Sequence, residues 1–168
     1  MTEKFKTLFL VKSSLISLYL ALTIPIPFIS SEDLKISSII TFLLGLFFII
    51  SITGDYVETS NIKISYKTSF VSEAFGKKNW EILWKDIKLI KSLPTSQGSN
   101  VYYLITNKEE NFLLPQRIQN FKKFLFIISK KTGLKVDDVS YISPLWTYRL
   151  LTYLSLLMIV GELIAFSI

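Results

Sequence analysis

The sequence predicts an α+β membrane protein: an N-terminal transmembrane helical hairpin, a small antiparallel sheet domain with a closing C-terminal helix, then a third transmembrane helix. Three observations carry this. Half of the residues are hydrophobic, and they gather into long uncharged runs at the two ends of the chain instead of recurring periodically throughout. The middle shows two-residue alternation of apolar and polar side chains, the period of a half-buried strand. After the strands comes one apolar stripe at helical spacing, stopped by Gly133.

The first span is expected over about residues 8–29, with an uncharged core from Ser13 to Ile29. Lys4, Lys6 and Lys12 lie before or just inside it, where long stems can snorkel to the interface. A cleavable signal peptide is the rival reading, but no A-x-A-like site follows, and a second apolar run begins almost at once. Pro25 and Pro27 mark an end or kink. The acidic connection Ser30 to Lys35 leads to the second span, about residues 36–54, long enough at 1.5 Å per residue to cross a hydrocarbon core of about 30 Å. The hairpin tip is net negative and both outer flanks are basic. The positive-inside bias therefore puts the N-terminus and the central domain in the cytoplasm, and the hairpin tip outside. The third span, residues 144–168, opens with Trp146, Tyr148, Arg149 and Tyr153, suited to a headgroup-level belt. Its run is interrupted by Glu162, either close to the far interface or an intramembrane carboxylate facing a partner or cavity.

The central domain, residues 55–143, carries fourteen Lys or Arg against nine Asp or Glu, most of the chain's formal +6. Ile62, Ile64 and Tyr66 alternate with polar neighbours, and Phe70 to Phe75 is expected to continue in strand style, with a hairpin turn at Gly76 to Asn79. Trp80, Ile82 and Trp84 share the face of a following strand, and strands are also expected near 86–91, 101–106 and 112–114, five or six in all. Pro115 suits the first position of the closing helix and Gly133 its left-handed cap, with Ile118, Phe121, Leu125 and Ile128 as the buried stripe.

The chain contains no His and no Cys. Disulfides, thiolate metal sites, cysteine nucleophiles and imidazole acid–base chemistry are therefore excluded. No phosphate-binding loop, dinucleotide motif or nucleophile elbow is present, and no cofactor is implied. The acid pairs Glu32-Asp33, Glu109-Glu110 and Asp137-Asp138 read as solvated turns. The chemistry that remains is association. Lys77, Lys78, Lys122, Lys123, Lys130 and Lys131 are the candidate partner or lipid surface, and Glu162 is the candidate polar site within the spans. Lysines beside a membrane favour anionic headgroups over nucleic acid, and a plain solvated face is the bland alternative. The expected partners are the bilayer and another membrane protein; no small-molecule substrate is evident.

The run Trp80-Glu81-Ile82-Leu83-Trp84-Lys85-Asp86-Ile87 resembles the apolar–x–Trp–x–x–Ile strand of bacterial pleckstrin-homology-like membrane proteins. Leu113-Leu114-Pro115 followed by Ile118, Asn120 and Phe121 is similar to the start of that family's closing helix. The resemblance covers about residues 56–133 and implies a partial barrel closed by a helix, but no particular activity. The order of hairpin, sheet and helix also looks like photosystem I assembly factors of cyanobacteria and chloroplasts, from which this chain departs by its third span. The runs around Thr95 to Tyr103 and Leu113 to Arg117 look cyanobacterial. Lys63 and Lys67 lie where eukaryotic relatives bind phosphoinositides, but without an Arg cluster, so inositide recognition is not carried over. Two readings follow: a scaffold, assembly or interaction module for a membrane complex, or an accessory subunit of a transporter or channel whose spans carry the function.

Overall fold

Alternating side chains build two antiparallel sheets. A computed structural model describes residues 2–167, so Ile168, the last position of the expected third span, lies outside the described residues. The first sheet joins β1 (Glu3–Lys6), β2 (Tyr56–Thr59), β3 (Lys63–Lys67) and β4 (Trp80–Leu83) in chain order. Lys6 pairs with Tyr56, Tyr56 with Lys67, and Ile64 with Ile82. After a single 3-10 turn at Trp84–Asp86, the second sheet joins β5 (Ile87–Pro94), β6 (Asn100–Thr106) and β7 (Asn111–Leu113). The helix α5 (Phe121–Thr132) closes the core with Phe121, Phe124, Leu125 and Ile128. These pack with Phe5, Val57, Ile64, Ile82, Trp84, Tyr102 and Leu104, all buried. Burying each large apolar side chain of this kind contributes about 1.5–3 kcal/mol.

Residues up to Leu8 thus belong with Gly54–Ser143 in one unit, and Phe9–Thr53 with the segment from Pro144 onward in another. Six strands form within the central domain, as the expected five or six allow, and among the described residues β1 adds a seventh from outside it. β1 was hidden because four residues bearing Lys4 and Lys6 look like the basic flank of a span; its partner β2 decides its fate. Phe70 to Phe75 is not a strand. The short helix α4 (Phe70–Ala74) forms instead, started by Ser69, whose hydroxyl accepts the Ser72 amide at 3.2 Å. The closing helix starts at Phe121, six residues after Pro115, because the intervening backbone is used elsewhere. Leu8 N–H donates to Arg117 O and Gln119 N–H to Lys6 O, each at 2.8 Å, and Thr7 bridges Ile118. Asn120, at φ 52°, then turns the chain into the helix. Gly133 ends it in the left-handed conformation, at φ 73°, as its spacing predicts.

The second unit is helical: α1 (Phe9–Thr23), α2 (Pro25–Ile29), α3 (Glu32–Ile52) and α6 (Leu145–Ser167). The break before Pro25 matches the expected kink. α3 begins four residues before the expected span, with Glu32 and Asp33 in its first turn, where the helix dipole favours acids. α1 packs through Val11, Ser14, Ser17 and Ala21, and α6 buries Ser155. Small residues let helix backbones approach closely, and Ser14 and Ser155 satisfy their hydroxyls on Val11 O and Leu151 O of their own helices. Tyr19 donates to Phe42 O at 2.7 Å, and a Cβ at Gly45 would lie 2.2 Å from the same phenol oxygen, so the glycine is what admits the tyrosine. Phe9–Ile29, Glu32–Ile52 and Leu145–Ser167 are long and apolar enough to cross a membrane. α3 has no buried residue; Leu43, Leu44 and Phe47 are all exposed, the pattern of a helix apolar on every side.

Candidate functional site

Asp55, the first acid after the uncharged stretch, organises one end of the first sheet. Its carboxylate is buried and gathers donors from three segments. Oδ2 accepts Tyr66 Oη and Lys77 Nζ, each at 2.8 Å, and Oδ1 accepts the Ser69 amide at 2.9 Å. Its backbone carbonyl accepts Thr7 Oγ1 at 3.0 Å. Burial alone would raise this carboxyl, but the bonds from Lys77, the Ser69 amide, Ser72 and Tyr66 outweigh it and hold it below its ordinary value of 3.8. Burial, then the hydrogen bond and charge of Asp55, push the Tyr66 phenol well above 10.0. A cluster satisfied on all sides fastens structure; it offers no reactive group.

The six lysines singled out by sequence do not form one patch. Lys77 is committed to Asp55, and Lys123 Nζ lies 2.6 Å from Glu3 Oε2, joining α5 to β1. Lys131 leans toward Asn61 O at 3.4 Å, beside the β2–β3 turn. Lys78, Lys122 and Lys130 are exposed. Lys122 and Lys130 stand at i and i+8 of α5, and at i+4 between them is Phe126, 64% exposed. The outer face of α5 is therefore a Lys–Phe–Lys row.

Lys63 and Glu81 pair across β3 and β4 at 2.8 Å. The hydrogen bond and charge of Lys63 lower the exposed Glu81 carboxyl, with Lys67 adding a smaller pull. A cleft of about 250 Å³ beside this pair, lined by Glu81, Asp86, Glu110 and Phe112, falls below the volumes usual for small-molecule sites. In the helical unit, Glu162 sits on α6, where its Oε2 is buried without a hydrogen-bond partner among the described residues, as is Tyr148 Oη. The two stand two heptads apart, with the buried Ser155 midway along the same side of the helix.

Asp55, Phe126 and Phe70 were missed by sequence reasoning. Asp55 was discoverable as the lone acid directly after an uncharged run. Phe126 lies one residue from the buried Leu125 and off the stripe of Phe121, Leu125 and Ile128, so helical spacing itself leaves it on the outer face.

No family model matches the chain. It is 31% identical over 156 residues to Uncharacterized protein slr0269 of Synechocystis sp., an overlap covering 89% of this chain and 78% of that one.

Proposed function

From the premise that this chain belongs to one family with the Synechocystis protein, we propose that it is a multi-pass membrane protein whose pleckstrin-homology-like domain binds an acidic surface of a partner membrane protein. The observation that carries this is the Lys122–Phe126–Lys130 row, an exposed aromatic anchor flanked by two exposed lysines that form no ion pair among the described residues. The four-plus-three strand order with a closing helix supports the pleckstrin-homology-like reading. Three apolar helices support the membrane reading. The pairing of β1 with β2 adds a topological argument. The chain leaves the sheet after Lys6 and returns at Tyr56, its direct neighbour, which supports an even number of crossings by α1 to α3. Tethering by spans on both sides raises the domain's effective concentration for neighbouring membrane proteins. Without imidazole or thiol, association is the better-supported reading than catalysis.

In native gels of gently solubilised membranes, the chain is expected in a complex well above its 19.3 kDa monomer. Lys122→Glu with Lys130→Glu should dissolve that complex and leave the fold intact, because neither lysine has the structural pairing of Lys123 with Glu3. A monodisperse monomer, without cross-linked neighbours in native membranes, would sink the proposal.

Topology has its own check, made simple by the absence of cysteine. Ser31→Cys and Ser167→Cys should react with an impermeant maleimide from the outer side, and Gln97→Cys only after the cytoplasmic face is opened. Outer-side labelling of Gln97→Cys would refute the orientation read from the charges.

A second reading, an accessory subunit of a transporter or channel, is favoured by the partnerless Oε2 of Glu162. It requires a solute flux that Glu162→Gln abolishes while the complex on native gels persists.

A further inference from the structure

The β3–β4 connection, residues 68–79, is held by its base and offers its tip. β3 ends at Lys67, which pairs with Tyr56, which in turn pairs with Lys6, so the connection emerges at the end of the sheet where the chain departs after β1 and returns before β2. Asp55 grips it twice, through the Ser69 amide at 2.9 Å and Lys77 Nζ at 2.8 Å. Asn79 closes the base, its Oδ1 accepting the Thr68 amide at 2.7 Å. Between these ties, α4 presents Phe70, 86% exposed, followed by Phe75 at 74%. Lys67 precedes the pair, and Lys77 and Lys78 follow it.

A phenylalanine left in water on a pinned loop forgoes the transfer free energy that its burial would give. The loop's flanks are basic, and its anchor Asp55 lies three residues beyond Ile52, the last of α3, within about 11 Å of extended chain. We propose that this loop lies in the interfacial layer of an anionic membrane, with the Phe70 ring at the acyl boundary and Lys78 on lipid phosphates. The inference rests on α3 being a span. Interfacial segments of this kind combine apolar burial with attraction to anionic lipid. Lys77 is spent on Asp55, which leaves Lys78, together with Lys67 at the start of the loop, to meet the headgroups against the one exposed acid of the loop, Glu73. The β2–β3 turn stands at the opposite end of the same strands, so Ile62, 68% exposed, serves as the aqueous reference.

The test uses the full chain with single spin-labelled cysteines at Phe70→Cys, Ile62→Cys and Leu43→Cys. Each is reconstituted in phosphatidylcholine vesicles with and without phosphatidylglycerol. Leu43, on α3, reports the span itself. In anionic vesicles the ratio of oxygen to nickel-reagent accessibility at position 70 should exceed that at position 62 several-fold, and adding Lys78→Glu should bring it back toward the aqueous value. An aqueous Leu43 label would overturn the span reading. A lipid-immersed Leu43 label with positions 70 and 62 equally aqueous would overturn this inference alone. Equal immersion of position 70 in neutral and anionic vesicles would also overturn it, by removing the anionic lipid from the contact.

Discussion

Trp84→Ala should destabilise the sheet unit by about 3–5 kcal/mol, the usual cost of truncating a large buried aromatic. Trp84 sits in the 3-10 turn between the two sheets, 5% exposed, and α5 packs against that turn. Its Nε1 also donates to Ser60 O at 2.9 Å, fastening the β2–β3 turn. Truncation therefore opens a cavity under the closing helix and releases one end of the first sheet. A fold burying so small a core has about 5–15 kcal/mol in total, so the loss consumes much of it. Pulse proteolysis of the full chain in mild detergent, across a urea series, reads the midpoint of this unit separately from the helices. An unchanged midpoint would mean that the packing of sheet and helix is not as described.

Asp55→Ala comes next in size. It strands Tyr66 Oη and the Ser69 amide, each part-buried, at about 1–3 kcal/mol per donor left without an acceptor. Lys77, half-exposed, can return to water and adds little. An expected loss of about 2–4 kcal/mol follows, in the lower part of the range for two such donors because each is only part-buried. The pH dependence has a definite sign. The folded carboxyl titrates below 3.8, so its contribution is present above that value and is lost as pH falls through the folded one. The Tyr66 phenol is raised above 10.0, so its contribution holds below that pH and is lost as pH rises through the folded value. Urea midpoints taken from neutral pH down into the acid range should fall more steeply for the natural chain than for Asp55→Asn. Parallel curves would show that Asp55 is not the group being titrated.

Features that depend on near neighbours were legible in the chain alone. Three uncharged runs announce three long apolar helices because helix length and hydrocarbon thickness are matched by one number, the rise per residue. Gly133 marks its helix end because a left-handed residue carries its own conformational signature. Trp84, Phe121 and Ile128 read as core from spacing alone, and they are buried. The remaining features depend on segments far apart in the chain. Glu3–Lys6 has no strand signal of its own and becomes β1 only because Tyr56–Thr59, some fifty residues away, offers it an edge. Residues 115–119 would have extended α5 toward Pro115, but Lys6 and Leu8 claim their backbone groups first. Phe70–Ala74 has strand-like composition, yet Asp55 draws Ser69 and Lys77 together and leaves room only for one turn of helix. The sorting of the lysines was equally beyond local reading: Lys77 and Lys123 are spent on Asp55 and Glu3, while Lys78, Lys122 and Lys130 remain at the surface. A charge is free or committed according to what the fold places within about 4 Å of it, and that is set by distant segments, not by the residue's neighbours in the chain.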